Sequence, residues 1–471
     1  MATPPWHLLR QAVDGDVIRQ PEPATFNARF DGVRAQAAVR CTSPHDVAAT
    51  LSFVRRHDLP FAVRSGGHCF AGHSSTTGVV LDMTPMDQIR RHGQLVTVDA
   101  GARLGAIYDR LQDDGRVLPA GTCPTVGIAG IALAGGLGVL GRRYGLTSDQ
   151  MVSAQVVLAD GDVVFCDESR EPDLFWALRG AGAGNFGVVT SFSFRTQPAP
   201  QVVDFHLAWN FDLAAAVIEA WQTWAPVAPD QLAASLKVIA PSDPDRPPAV
   251  NVYGALQITG ADARTVPPPH SVIDDLRRRV HAEPAWQWAQ THPFAQTRRF
   301  WAQLPPVGAA FEALAPPVEA HPWLAARSEF FRRLLPAQAV AELLEVLAAD
   351  RGRGEERELD FMPWGGAYNR VPADATAFVH RDELFQLKHS ATLGPDAPSS
   401  AKEAAHAFVR RSWETTHTWG SGGVFPAFPD SDLPKPADAY FGLNLPRLRR
   451  IKAHYDPANV FGSPSGQGID P

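Results

Sequence analysis

The chain has 471 residues and a mass of 51.0 kDa, which exceeds one ordinary hydrophobic core and predicts at least two domains. Its formal net charge of -7 argues against a nucleic-acid partner, which a basic surface would favour. No apolar run approaches the roughly 18 to 20 residues that span a bilayer, so we expect no membrane partner. The acidic start of the chain does not resemble a signal peptide, and we expect a cytoplasmic protein.

The cysteines are too sparse for a disulfide scaffold, and none forms a C-x-x-C pair that would indicate zinc. We therefore expect no metal site, and we expect most of these cysteines to be small buried side chains. The exception is Cys123, because a thiol in a Gly-Pro loop is poorly placed to fill a core. The four cysteines are Cys41, Cys69, Cys123 and Cys166.

Residues 1–200 alternate strand-like runs with turns and a few helices. Ser43-Pro44 precedes apolar residues at helical spacing and predicts the start of a helix. The runs GVVLDM, LVTVDAG, AQVVLADGDVV and FGVVTSFSFRT predict strands. After the proline-rich QPAPQ, residues 201–429 mix strands such as NVYGALQITG with helices such as PAQAVAELLEVLAADRG. The last segment, 430–471, contains a helical stretch that we expect to stop before Asp456-Pro457.

Glycine-rich runs give two competing interpretations. Gly136-Leu-Gly-Val-Leu-Gly141 matches G-x-G-x-x-G, and Asp160 follows at a distance that suits a Rossmann fingerprint. However, the preceding VGIAGIALAG is too rich in glycine for a buried strand, and Asp160-Gly161 is better explained as a hairpin turn. We therefore predict that this run is not a dinucleotide site. In the segment LPFAVRSGGH the glycines mark a turn at the end of a strand-like run. A polar residue in such a turn usually faces solvent, and this is the simplest explanation for His68 from the local sequence.

Five motifs occur in an order that resembles one family: RSGGH at 64–68, GTCPTVGIAGIALAGGLG at 121–138, RRYGLTSDQ at 142–150, PDLFWALRGAGAGNFGVVTSF at 172–192 and YFGLNLPRLRRIKAHYDPANVF at 440–461. Together they resemble the berberine-bridge-enzyme-like flavin oxidases, within the p-cresol methylhydroxylase (PCMH) type of FAD-binding proteins. The resemblance runs from about residue 35 to residue 461 and fades through residues 201–360.

The resemblance implies an α+β fold with three parts. Residues 1–200, with a core at about 35–200, would form a PCMH-type FAD-binding domain of two α+β subdomains. Residues 201–429 would form a substrate-binding domain in which helices cover an antiparallel sheet. The segment 430–471 would return to the FAD-binding domain.

The resemblance also implies how FAD is held. In such proteins the histidine of R-S-G-G-H is bonded to the flavin 8α-methyl group, and the cysteine of the G-x-C-P-T-V-G run is bonded to flavin C6. The matching residues are His68 and Cys123, which implies bicovalent FAD, whereas Cys69 departs from the family pattern and has no assigned role. Glycines at 66 and 67 would let the main chain approach the pyrophosphate. The remaining implied cofactor residues, with those two glycines, are Arg64, Ser65, Gly66, Gly67, Gly72, Thr125, Val126, Gly127, Gly130, Gly187, Val189 and Asn444.

Three residues carry the chemistry that the resemblance implies. Val126 matches family members that are oxidases, because leucine there would crowd the approach of oxygen to flavin C4a. Tyr440 matches the tyrosine that reaches the substrate, and Tyr368, on a predicted strand, resembles its partner. A tyrosine base near pH 7 needs its pKa lowered by about three units, or roughly 4 kcal/mol. The alternative for both is a buried tyrosine that donates to a main-chain carbonyl.

The implied reaction oxidises an alcohol, on a sugar unit or a natural-product skeleton, to a carbonyl while O2 becomes H2O2. Two alternatives stay open: oxidative ring closure or dehydrogenation at carbon, and a flavin-binding scaffold without net redox chemistry. Leu137 stands where plant relatives carry an aromatic residue, so a contact of that ring would be missing. The partners would be a small-molecule substrate and O2, in a monomer or homodimer. Aromatic side chains that could form a sugar platform, or equally pack a core, are Trp286, Trp288, Phe294, Phe300 and Trp301.

Overall fold

The computed structural model describes residues 4–258, 268–307, 321–462 and 467–471. Within these ranges the strands form three larger sheets and one two-stranded pair, and helices pack against them. The predicted α+β class is confirmed. No helix in the described ranges has the length and the apolar content to cross a membrane.

The first sheet has four strands, three of which run parallel. The predicted helix is present as Pro44–Arg56, and the Ser43 side chain caps it by accepting from the Asp46 amide at 3.3 Å. Its buried face includes Val47 and Leu51, which pack in the core beside the sheet. In spatial order the strands are Val17–Arg19, Ala37–Arg40, Val79–Asp82 and Phe61–Arg64.

The second sheet is antiparallel and has five strands. Its last hairpin turns at Asp160-Gly161, as predicted, and Gly161 has a φ of 99°, which favours glycine. VGIAGIALAG contains the helix Ile128–Leu133, so G-L-G-V-L-G follows a helix and lacks the strand that a Rossmann fingerprint requires. In spatial order the strands are Ile89–His92, Leu95–Asp99, Val188–Arg195, Met151–Val157 and Val163–Cys166.

The third sheet has seven antiparallel strands and lies entirely within residues 201–393. Alternate side chains, among them Leu236, Leu359 and Leu387, form one apolar face. Helices Ala214–Trp224, Pro269–Val280, Ala337–Ala348 and Ser399–His417 cover that face. In spatial order the strands are Trp286–Pro293, Gln201–Asn210, Ala249–Ile258, Leu232–Ala240, Glu356–Pro363, Phe385–Leu393 and Trp323–Phe331.

The opposite face of the seven-stranded sheet, which we call the open face, meets the amino-terminal part of the chain. Ala233 and Ala255 on this face belong to the same core as the first two sheets. The Gln257 side-chain amide donates to the Val139 carbonyl oxygen at 3.1 Å. Residues on the open face therefore lie between the two parts of the molecule.

The carboxy-terminal helices Pro436–Phe441 and Leu445–Tyr455 pack in the amino-terminal core through Phe441 and Leu448. The second helix ends before Asp456, as predicted, and the Asp456 carboxylate accepts from the amides of Val460 and Phe461. The domain boundaries at 200 and 429 stay predictions. The other described elements are helices Trp6–Ala12, Leu104–Gln112, Gly141–Tyr144, Pro172–Ala181, Phe294–Gln303 and Ala367–Arg370, 3-10 turns Ala28–Phe30, Thr147–Gln150, Phe211–Leu213 and Gly442–Asn444, and the pair Arg116–Val117 with Gln197–Pro198.

Candidate active site

Two loops meet at glycines that leave no room for a side chain. A Cβ on Gly66 would lie 2.2 Å from the Gly127 nitrogen, and a Cβ on Gly127 would lie 2.1 Å from Ser65 Oγ. The turn at residues 64–72 and the loop at 123–127, which leads into the helix Ile128–Leu133, are therefore in direct main-chain contact. These are the two segments to which the resemblance assigns the flavin attachment.

One hydroxyl group joins the two predicted attachment residues. His68 Nε2 lies 2.9 Å from Thr125 Oγ1, and Cys123 Sγ lies 3.4 Å from the same oxygen. The imidazole also stacks on Phe26, with ring centroids 4.6 Å apart and planes within 16°. The structure thus brings His68 and Cys123 together at one place and orients the imidazole from two sides.

The surroundings of His68 keep its imidazole neutral at pH 7. Burial lowers the pKa of His68 to about 4, and the positive charge of Arg103 acts in the same direction. A neutral imidazole retains a nitrogen lone pair, which nucleophilic attack on an electrophilic carbon requires. His68 is therefore in the protonation state that covalent attachment needs.

Two of the four cysteines are buried, whereas Cys69 and Cys123 are partly exposed. Cys41 and Cys166 are buried, and that burial raises the pKa of each thiol. Cys69 also has a raised pKa from burial, and its sulfur accepts from the His73 amide at 3.3 Å. Cys123 is partly exposed in a loop, so its thiol is available to a ligand.

The remaining residues of the 64–72 turn stabilise its shape. The Arg64 guanidinium donates to the Ser74 carbonyl at 3.1 and 3.0 Å, and the Ser65 hydroxyl donates to the Ala100 carbonyl at 2.7 Å. Gly67 and Gly72 have φ values of 73° and 75°, a left-handed conformation that favours glycine. The turn therefore keeps a fixed shape around His68.

The other predicted cofactor residues lie outside the 64–72 turn and differ in their packing and hydrogen bonds. A Cβ on Gly187 would lie 2.6 Å from Val156 Cγ1, and Val189 is buried in its strand. The Asn444 amide donates to three carbonyls of the 373–377 loop, the shortest at 2.7 Å. Gly130 is exposed on the helix Ile128–Leu133, and a Cβ there would meet no atom within 4 Å. The roles of these residues at a cofactor stay predictions.

Val126 lies three residues after Cys123 in the same loop. Its amide donates to the Cys123 carbonyl at 3.4 Å, and its carbonyl accepts from the Leu104 amide at 3.0 Å. The side chain is partly exposed and packs against the amino-terminal core. These contacts fix Val126 beside Cys123, and its effect on oxygen stays a prediction.

The contacts of Tyr440 favour a structural role. Its hydroxyl accepts from the Asp430 amide at 2.8 Å and donates to the Asp430 carbonyl at 3.4 Å. Burial raises the pKa of Tyr440, which is opposite to the shift that a base near pH 7 requires. The lowering of the pKa that a base near pH 7 would require is therefore not favoured by these surroundings. The role of Tyr440 as base stays a prediction, and the alternative of a buried tyrosine bonded to main chain fits its contacts.

Tyr368 corrects one prediction of secondary structure. It lies on the short helix Ala367–Arg370 and not on a strand, because Gly365 and Gly366, with φ values of 86° and 60°, end the preceding strand. Its hydroxyl donates to the Gly138 carbonyl at 3.2 Å and accepts from the Gly138 amide at 3.3 Å. Burial raises the pKa of Tyr368 as well. Its contacts match those of Tyr440 in kind.

The sequence did not reveal a charged cluster on the open face of the seven-stranded sheet, which we call the ion cluster. Its four members come from three adjacent strands, and ion pairs of 2.6 to 3.3 Å join them. A signal was present in ERELDFM, where acidic residues alternate with apolar ones on a strand that is otherwise buried. The members are Lys237, Glu358, Asp360 and Lys388.

The aromatic segment near residue 290 contributes mainly to packing. Phe294 and Phe300 are buried, and Trp288 stacks on Phe300 with centroids 5.2 Å apart. The Trp301 indole donates to Asp204 Oδ1 at 3.0 Å. These contacts favour core packing over a sugar platform.

Comparison with known proteins identifies the family. Residues 35–167 match the FAD binding domain family, and residues 424–468 match the family described as berberine and berberine like. FAD-linked oxidoreductase YgaK of Bacillus subtilis is 30% identical over 90% of this chain and 89% of its own length. The chain belongs to the berberine-bridge-enzyme-like family of FAD-linked oxidoreductases.

Two further comparisons extend this result. Chitooligosaccharide oxidase of Gibberella zeae is 30% identical over 96% of this chain and 89% of its own length. The solved structure of BBE-like 1 from Physcomitrella patens superimposes with a TM-score of 0.85 at 24% identity and covers 99% of each chain. This berberine-bridge-enzyme-like protein therefore has the fold of that structure over nearly its whole length.

Proposed function

We propose that this family member is an oxidase that holds FAD through two covalent bonds, at His68 and at Cys123. The observation that carries the proposal is the shared contact of both side chains with the Thr125 hydroxyl. The residues fit the cofactor, because a neutral imidazole and a partly exposed cysteine are brought together at the Thr125 hydroxyl. A flavin with two attachments would stay in place without a deep enclosing pocket.

The chain and the cofactor would divide the chemistry. Bound FAD would supply the hydride acceptor for alcohol oxidation. His68 and Cys123 would fix the position of the ring system, and Val126 would leave the approach of O2 open. The open face of the seven-stranded sheet, which lies between the two parts of the molecule, would orient the substrate.

We propose that the substrate is a sugar alcohol group, which is oxidised to a carbonyl while O2 is reduced to H2O2. The similarity to chitooligosaccharide oxidase over most of both chains supports an oligosaccharide substrate. The product would carry one carbonyl in place of one hydroxyl, and one molecule of H2O2 would form per turnover. Natural-product alcohols, with dehydrogenation at carbon, form the alternative outcome of the test below.

The test is a screen of the holoenzyme with cellobiose, N,N′-diacetylchitobiose and a set of aromatic alcohols. Bleaching of the flavin without air and H2O2 release with air are measured for each compound, and the product is examined by mass spectrometry. A sugar product that has lost two hydrogens, with stoichiometric H2O2, is expected. A product with a new ring, or flavin that no compound reduces, would contradict the proposal.

A further inference from the structure

One lysine of the ion cluster, Lys388, has an ammonium group that can donate a further hydrogen bond in addition to its ion pairs. We propose that Lys388 is a specificity-determining residue that donates a hydrogen bond to an oxygen of a neutral substrate. The inference rests on the proposed function in one respect, namely that the ligand is the alcohol substrate. It depends on the position of Lys388, on how the cluster shares its charges and on the resulting preference for a neutral partner.

Lys388 lies close to the turn that carries His68. On its strand, Phe385 and Leu387 face the covering helices, so Lys388 lies on the open face. Its ammonium is 5.6 Å from the ring centroid of Phe428, which in turn stacks on Phe70 with centroids 5.2 Å apart and planes within 9°. Phe70 follows His68 by two positions. Phe428 therefore connects Lys388 to Phe70, which belongs to the same turn as His68.

The two lysines of the cluster do not share the carboxylates equally. Lys237 Nζ is 2.6 Å from Asp360 Oδ2 and 3.1 Å from Glu358 Oε2, whereas Lys388 Nζ is 3.3 Å from a carboxylate oxygen of each. The Lys237 side chain is 9% exposed and that of Lys388 is 16% exposed. An ammonium group has three N–H donors. The contacts of Lys388 with two carboxylates occupy at most two of them, so one donor can still bind a further acceptor.

The ion pairs of the cluster stabilise the charged forms of Glu358 and Lys237. Burial raises the pKa of Glu358, but the ammonium groups of Lys237 and Lys388 outweigh burial and lower it to about 2. The pKa of Lys237 is raised by the two carboxylates despite its burial. Tyr253 on the neighbouring strand has a pKa raised by burial and stays neutral. Lys388 thus lies beside a carboxylate and an ammonium group whose charged forms the ion pairs favour.

The mixed charges of the cluster select against charged ligands. The two ammonium groups and two carboxylates of the cluster carry opposite charges, and Glu356, which interacts with Glu358, adds a third acidic group on the same face. An anion that approached Lys388 would also approach Glu358 and Asp360, and a cation would meet two lysines. A hydroxyl, ether or carbonyl oxygen escapes both penalties, and the Phe428 ring supplies an apolar surface beside it. The partner is therefore a neutral molecule rich in oxygen.

The experiment measures sugar binding to the holoenzyme and to three variants. Lys388→Met removes the donors at similar length, Lys388→Arg keeps donors and charge, and Lys402→Met removes a lysine that donates to the Pro395 carbonyl on an exposed surface. The Kd of cellobiose is taken from the concentration dependence of anaerobic flavin reduction, or from the flavin difference spectrum where no reduction occurs. Loss of a hydrogen bond from a charged donor predicts a Kd raised about 10- to 100-fold in Lys388→Met.

The matched variants separate recognition from folding. Lys388→Arg is expected to keep the Kd within about fivefold, since donors and charge remain, and Lys402→Met is expected to keep the Kd of the unaltered enzyme. D-glucose, D-glucosamine and D-glucuronate then compare a neutral, a cationic and an anionic ligand of one size. The unaltered enzyme is expected to bind D-glucose tighter than both charged sugars. Lys388→Met leaves a net negative cluster, so it is expected to narrow the difference for D-glucosamine but not for D-glucuronate.

Several results would overturn the inference. These are an unchanged Kd in Lys388→Met, equal weakening in Lys388→Arg, tighter binding of either charged sugar, or no binding of any sugar. If cellobiose binds in a Lys388-dependent manner but never reduces the flavin, the oxidase proposal fails and the role of Lys388 stands. If Lys388→Met oxidises cellobiose with the original Kd, the oxidase proposal stands and the role of Lys388 fails.

Discussion

His68 and Cys123 belong to different loops, yet both side chains contact the single hydroxyl group of Thr125, at 2.9 and 3.4 Å. Gly66 and Gly127 make this arrangement possible, because any side chain at either position would push the loops apart. Covalent attachment at two points requires that both nucleophiles reach one ring system at once. Thr125 is therefore the residue on which the geometry of the proposed attachment would depend.

Replacing Thr125 tests that dependence. In Thr125→Val the shape of the side chain is retained but the bridging hydroxyl is lost, so both side chains gain rotational freedom. We expect covalent incorporation of FAD to slow about tenfold, in line with the roughly 1 kcal/mol of a hydrogen bond. In-gel flavin fluorescence after timed incubation of apoprotein with FAD measures the rate. Thr125→Ser should keep most of it, and equal rates in both variants would exclude a role for the hydroxyl.

Tyr440→Phe distinguishes a base from a structural residue. Because the hydroxyl is bonded to the Asp430 main chain on both sides, its removal leaves a buried amide without a partner. We expect stability to fall by about 1 to 3 kcal/mol and flavin reduction by substrate to change less than tenfold. Chemical denaturation and anaerobic stopped-flow absorbance give the two quantities. Tyr368→Phe should behave alike, whereas a loss of about 10² to 10⁴ in reduction rate for Tyr440→Phe alone would assign it as the base.

Val126→Leu tests access of oxygen. The side chain lies beside the Cys123 loop and is partly exposed, so one added methylene would extend toward the space that O2 must enter. Reoxidation of the reduced enzyme by air should slow at least tenfold, while reduction by substrate stays within a factor of two. Stopped-flow traces of both half-reactions provide the comparison, and Val126→Ile serves as a control of similar volume. An unchanged rate of reoxidation would show that Val126 does not control the access of oxygen to the flavin.

The buried carboxyl group of Glu383 should make the free energy of unfolding depend on pH. It is fully buried, and burial raises its pKa from 4.5 to about 7, although Arg332 acts in the opposite direction. The folded chain then binds more protons than the unfolded chain between these values, so the free energy of unfolding falls as pH rises from about 5 to 7. Glu383→Gln should reduce this fall by on the order of 2 kcal/mol. Urea denaturation at pH 5 and pH 8 measures it, and an identical pH profile in the variant would contradict it.

Local patterns were sufficient to predict much of the amino-terminal part. Ser43-Pro44 predicts a helix start through capping chemistry, and Asp160-Gly161 predicts a hairpin turn through the positive φ of glycine. His68 and Cys123 could be proposed as site residues because each lies in an unusual glycine-containing loop with a recognisable motif. Such features need only neighbouring residues for their interpretation.

Long-range contacts were beyond prediction from the sequence. The ion cluster joins Lys237, Asp360 and Lys388, and it requires the register of three strands that are far apart in the chain. The partner of the Tyr440 hydroxyl is likewise fixed by how the chain folds back at Asp430. Tyr368 was misplaced on a strand because the apolar run before it continues without an obvious break until Gly365 and Gly366.

The most direct test of the central claim is acid precipitation of the purified holoenzyme, followed by absorbance of the pellet and the supernatant. We predict that the yellow flavin colour stays with the precipitated unaltered protein. It should also stay with His68→Ala and with Cys123→Ala, because each of these variants keeps one covalent bond to the flavin. The double variant should release all of its flavin to the supernatant. Release of all flavin from the unaltered protein would contradict covalent attachment, and release from either single variant would show that only one of the two bonds forms.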